Sequence, residues 1–182
     1  MITEQELDQA KARWQAGHHL FFSLVQGLIL AFNKFEKHIQ RDEMELAKHE
    51  LERITQILWG VSATFKLTGD FGDEAYDKYV RQEMFGYAEG FSGLWSHDHD
   101  YLVKTVLRRL KLFFKAPPAE LKPAMAKFQQ AFAVMYDSHK YVCEKFEGDA
   151  PSLLMGKNSQ KSAAEMIDLF KHNRMMVLGI RK

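Results

Sequence analysis

Between Asp42 and Leu67, apolar residues return at Met44, Ala47, Leu51, Ile54, Leu58, Val61 and Phe65, in steps of three and four. The same alternation recurs at Met125, Phe128, Phe132, Met135, His139, Val142 and Phe146, inside a segment from about Ala119 to Glu147. An α-helix turns by about 100° per residue, so such steps keep one stripe facing one way, whereas a strand needs every second residue apolar. Both segments are therefore predicted helices that bury one face. The rest of the chain reads the same way. Thr3 and Glu6 form a Thr-x-x-Glu capping box that starts a helix running towards Gln15. From His18 to about Gln40 the chain is apolar on nearly every side between Leu20 and Phe32, which predicts a central helix enclosed by others. Further helices are predicted from about Glu74 to Phe85, from about Asp98 to Phe114, and from about Gln160 to Leu178. A turn cluster at 68–73, a glycine-punctuated stretch at 86–102, the Pro117-Pro118 stop and a loop at 148–159 separate them.

With 46% hydrophobic and 27% charged residues in a chain of 182, a folded core is expected, and 11 Gly with 4 Pro argue against a turn-rich β-barrel. The expected fold is all-α, a single-domain helical bundle over residues 1–182. Twenty-five Lys and Arg against 24 Asp and Glu leave no surplus positive charge, so nucleic acid is not an expected partner. The longest apolar run, Leu20 to Phe32, falls short of the roughly 20 residues that cross a bilayer. The polar start MITEQELDQAKARWQ is unlike a signal peptide, and one cysteine, Cys143, suits a reducing compartment. A cytoplasmic protein with no membrane association is therefore expected. The two long stripes make a homo-oligomer the expected assembly.

Eight His, 9 Met and 14 Phe fit either a phenylalanine-rich core or an aromatic-lined pocket. His18 shares a helical face with Phe21, Phe22, Val25, Ile29 and Phe32, and His172 shares one with Leu169, Met175, Met176 and Gly179. His139 stands within the second stripe, so periodicity alone leaves three candidate ligands. In the run His97-Asp98-His99-Asp100, residues two apart do not share a helical face, so joint chelation requires extended backbone. No Glu stands three residues before any His, and no His-x-x-x-His pair exists, so helical di-iron and zinc-hydrolase patterns are absent. Cys143 beside Val142 and Phe146 reads as a small buried hydrophobe.

Three stretches resemble the haem-dependent tryptophan 2,3-dioxygenase and indoleamine 2,3-dioxygenase superfamily. In the first, Trp14 precedes His18 by one turn, a long apolar helix follows, and His38-Ile39-Gln40-Arg41-Asp42-Glu43 closes it. The second holds Gly90-Phe91 within Tyr87 to Leu102, and the third is Leu169 to Gly179, LFKHNRMMVLG. The resemblance implies a haem cofactor with His172 as proximal iron ligand and His18 in the distal pocket. It also implies Trp14, Phe22 and Met176 around the haem, and Phe91, Trp95 and His97 at the substrate. Where the family's carboxylate-binding Arg is expected, this chain has His97, and no Arg stands between Arg81 and Arg108. An imidazole cannot reproduce the two parallel hydrogen bonds of a guanidinium. Arg108, Arg109 and Lys111 either meet haem propionates or form an exposed basic face.

The expected activity is that of an oxidoreductase, an oxygenase or dioxygenase acting on an aromatic, indole-type small molecule with dioxygen or peroxide. A haem-binding carrier or sensor without catalysis, and a helical interaction protein without cofactor, are the alternatives.

Overall fold

The computed structural model describes residues 2–83, 96–148 and 161–179, and among them every regular element is helical. The first helix, α1 (Glu4–Gln40), runs unbroken for 37 residues where the sequence predicts two. Its capping box forms as expected: the Thr3 hydroxyl accepts from the Glu6 N–H, and the Glu6 carboxylate accepts from the Thr3 N–H. The predicted interruption near Gly17 does not occur because that glycine serves packing. A Cβ there would lie 1.9 Å from Thr68 Oγ1 on α2 (Met44–Thr68), so the absent side chain lets the two helices touch. Nor is α1 enclosed all round. Leu20 and Leu30 are 43% and 64% exposed, because the neighbouring helices cover only the face carrying Val25, Leu28, Phe32 and Phe35.

A tight turn makes α1 and α2 antiparallel. Asp42, expected to open α2, instead adopts φ 59° within the turn, and His38 pairs with Glu43 at 2.6 Å across it. The α2 stripe is buried as its spacing demands: Ala47, Leu51, Ile54, Leu58 and Val61 are at most 2% exposed. A short α3 (Asp73–Ala75) widens into a π turn at Tyr76–Val80. Next come α4 (His97–Tyr101), a second π turn at Leu102–Val106, then α5 (Leu107–Arg109) and α6 (Lys111–Lys115), which ends before Pro117. Arg109 donates to Asn33 and Glu36 at 2.8 Å each, so its basic head ties α5 to α1.

After a 3-10 turn at Ala119–Leu121 come the long α7 (Lys122–Glu147) and the final α8 (Ala163–Val177). A second capping box, Ser162 with Glu165, starts α8. Two ion pairs, Lys171 to Asp137 and Lys140 to Asp168, both at 2.5 Å, hold α8 on α7. Beyond its C-terminal end, Gly179 at φ +70° passes the α6 backbone so closely that a Cβ would lie 2.9 Å from Lys115 Cα.

The helices close tightly at one end of the bundle. There Phe114 stacks on Phe128 at 5.7 Å and 11°, and Phe32 meets both rings edge-on. Burying each such ring contributes roughly 2–3 kcal/mol relative to leaving it in water. Farther along α7 the same stripe, at Met135, His139, Val142 and Phe146, borders open space. No helix among the described residues is long and apolar enough to cross a membrane.

Candidate functional site

The space left between α1, α2, α4, α7 and α8 is a cavity of about 280 Å³ with a mostly apolar lining, close to the lower end of volumes that hold small organic ligands. Polar groups reach it from separate helices, among them His18 from α1, His99 from α4, His139, Tyr136 and Glu147 from α7, and Arg174 from α8. Rings line the space between them. Trp14 lies 4.7 Å from the His18 ring, Phe21 lies 5.6 Å from Phe65, and Phe65 stacks flat on His139 at 4.5 Å and 8°.

Each imidazole has its own environment. His18 Nδ1 bonds to the Trp14 carbonyl at 2.8 Å. A carbonyl only accepts, so Nδ1 carries the proton and Nε2 the lone pair. Burial pushes the His18 pKa down, and that hydrogen bond opposes the shift. His99 is pushed down to about 4, first by burial, then by the nearby Arg174 charge and His139. Its Nδ1 is buried and has no hydrogen-bond partner among the described residues. His139 is likewise held at about 4 by burial, with Arg174 and His18 adding to the effect. It retains some accessible surface because its open side faces the cavity. Three clustered imidazoles are thus biased towards the neutral form, the form that binds a metal.

At the α8 side, Arg174 donates to the Tyr136 hydroxyl and lies over the Tyr136 and Phe170 rings at 5.5 and 5.4 Å. Tyr136 is 3% exposed, and burial raises its pKa. At the opposite end of α7, Tyr76 donates to Glu147, and Phe146 lies between the rings of Tyr76 and Phe71. Cys143 lines the cavity one turn after His139, its thiol pushed up to about 12 by burial.

The residues expected at the site from sequence divide into three groups. His18 and Trp14 line the cavity, as does His139, and Phe22 packs behind His18 at 6.4 Å. His172 and Met176 lie on the exposed side of α8, Met176 at 53% exposure. Residues 170 and 174 face the cavity, and residue 172 is rotated by roughly 160–200° from each of them. His97 is exposed at the start of α4, and His99 takes the inward position. The backbone there is helical, which is why the two do not point the same way. Phe91 and Trp95 lie outside the described residues.

The sequence offers His99 only as a chelating partner of His97 and gives no role to Tyr136 or Arg174. A signal existed for the last: Ala163, Ile167, Phe170 and Arg174 are spaced by four, three and four, an apolar stripe ending in a cation. It was hidden because the opposite side of α8, with Leu169 and Met176, is apolar too.

The sequence matches the family described as SfmD 3-methyl-L-tyrosine peroxygenase over residues 3–126. It is similar to a 3-methyl-L-tyrosine peroxygenase from Streptomyces lavendulae, 31% identical over 172 residues, which cover 93% of this chain and 47% of the relative. The chain thus spans about half the length of the curated relative it matches. No solved structure matches it.

Proposed function

This chain belongs to the 3-methyl-L-tyrosine peroxygenase family, and from that premise we propose that its cavity is a haem site where an aromatic, amino-acid-type molecule is oxygenated with peroxide. The observation that carries the reading is the group of half-buried imidazoles, His18, His99 and His139, around one aromatic-lined space. A bare transition-metal ion needs three or four protein ligands. Among the described residues, no three His, Cys, Asp or Glu side chains are placed to hold one. An iron porphyrin brings four ring nitrogens of its own and asks the protein for only one or two axial donors. The donor set therefore fits haem, and the buried Nδ1 of His99, without a partner among the described residues, is a nitrogen that such a group could engage.

His139 would hold the haem iron. The family resemblance points to His172, but that residue is exposed on the side of α8 away from the cavity. His139 is half-buried with its open side towards the cavity, low in pKa, and flat against Phe65, which holds its ring in one plane. His99 is the second imidazole within the same space. When bound, haem would activate peroxide for oxygen transfer to an electron-rich ring. His18 would orient the reactants: its Nδ1–H is committed to the Trp14 carbonyl, which leaves Nε2 as a hydrogen-bond acceptor for a substrate or peroxide O–H. Trp14, Phe21 and Phe65 would pack against the aromatic substrate and exclude water. A shared origin with the tryptophan 2,3-dioxygenase-like proteins, suggested by the segment from Trp14 to Glu43, belongs to the same proposal.

A hemin titration followed in the visible region tests it. The wild-type chain should develop a saturable Soret band that shifts on reduction and with carbon monoxide. His139→Ala should lose that band or change its axial ligation, while His172→Ala should behave as wild type. A wild-type protein with no saturable hemin binding, or a His172→Ala protein that loses it, refutes the assignment. Haem binding with no peroxide-driven turnover of tyrosine-type compounds would favour a carrier or sensor.

A further inference from the structure

We propose that Arg174 and Tyr136 form a carboxylate clamp at the α8 side of the cavity, and that its ligand is the carboxylate of an aromatic amino acid. The inference rests on the proposed reading for the identity of that ligand, and on the described geometry for the clamp itself.

Arg174 is partly buried and borders the cavity, yet among the described residues no carboxylate pairs with it. The neighbouring lysines show the contrast: Lys171 and Lys140 both meet aspartates, Asp137 and Asp168. A guanidinium carries five N–H donors in a planar fork, and one goes to the Tyr136 hydroxyl. The Phe170 and Tyr136 rings lie 5.4 and 5.5 Å from its guanidinium carbon and confine the head, and among the described residues no carboxylate meets its remaining donors. The Tyr136 oxygen accepts from Arg174, so its own O–H remains to donate, and this group too is buried at the cavity wall. Two adjacent donors carrying one positive charge match one carboxylate, which has two acceptor oxygens and one negative charge.

The surroundings narrow the ligand further. Phe65, Phe132 and Phe170 also line the cavity, so the molecule that brings the carboxylate has an aromatic body. Tyr136 stands one turn before His139 on α7, which sets the clamp beside the imidazoles that line the same space rather than at a remote pole. A carboxylate held there would leave its ring among them. Glu147, an acid at the far end of the same lining, is eleven residues beyond Tyr136 on α7, or roughly 16 Å along the helix. It cannot serve the same α-carbon.

Carboxylates reach such a cavity from an amino acid or from haem propionates, and paired ligands separate the two sources. Calorimetry on the full chain would use L-tyrosine against tyramine, which lacks the carboxylate. Hemin against hemin dimethyl ester would be followed by absorbance. We expect Arg174→Gln to weaken L-tyrosine by on the order of 10- to 100-fold, to the level of tyramine, whose own binding stays unchanged. Arg174→Lys, which keeps the charge and loses the fork, should fall between, and Tyr136→Phe should cost less than Arg174→Gln. If Arg174→Gln instead weakens hemin but not its dimethyl ester, the clamp stands and its ligand is a propionate. Far-UV circular dichroism verifies folding, and if Arg174→Gln does not fold, the Lys and Phe variants decide. A folded variant set that binds L-tyrosine and hemin as wild type does, or a wild-type chain that binds neither, overturns the clamp. A wild-type chain with Arg174-dependent L-tyrosine binding and no hemin binding sinks the haem reading and keeps the clamp.

Discussion

Lowering the pH from 7.5 to 5.5 should remove between about 2 and 3 kcal/mol of folding stability from the cofactor-free protein, through His99 and His139. Both are held at about 4 in the fold, chiefly because burial penalises the charged ring and Arg174 repels it. In the unfolded chain they return to about 6.5, so the unfolded state binds protons first as the pH falls. The sign follows: the stability is fully present above pH 6.5 and is lost as the pH drops towards 4. At pH 5.5 the unfolded state gains roughly 1 kcal/mol per histidine relative to pH 7.5, and the two together give the stated total. His18 is shifted in the same direction and adds to it. Carboxylates ordinarily titrate below this window and leave it clean. Urea unfolding at both pH values, with and without His99→Gln/His139→Gln, measures the effect. The double variant should lose less stability across the window, keeping only the His18 contribution, at an unchanged m-value. Equal losses in wild type and variant would mean that the rings are solvated and that the cavity does not hold them neutral.

Gly17→Ala should destabilise the chain by about 1–2 kcal/mol even though alanine favours a helix by about 1 kcal/mol, because the new Cβ overlaps Thr68. Thermal unfolding at 222 nm should show the loss, and adding Thr68→Gly should recover part of it; a stabilised single variant would mean that α1 and α2 do not touch there. Cys143, held at about 12, should react with a thiol reagent at pH 8 on the order of a thousand times more slowly in the folded chain than in urea. Comparable rates would place the thiol in solvent rather than against a closed cavity.

The sequence by itself determined the helical class and much of the core. The steps of three and four through α2 and the first half of α7 bury what they promise, from Ala47 to Val61 and from Met125 to Phe132. The capping box at Thr3 is as local as the residues that form it, so it too was legible. His18 and Trp14 were recognised because one turn of one helix brings them together. Other features depend on contacts between distant segments. The break expected between Gln15 and His18 gives no hint that Gly17 packs against Thr68, 51 residues later. Both sides of α8 are apolar, so periodicity could not say whether His172 or Arg174 faces inward. Ion pairs from Asp137 and Lys140 hold α8 against α7, and Gly179 fits against α6, a docking that turns Arg174 to the cavity and His172 to solvent. A helix's own pattern says how it can bury a face. Which face it buries, and which histidines meet across the space that remains, is decided by the partner helix.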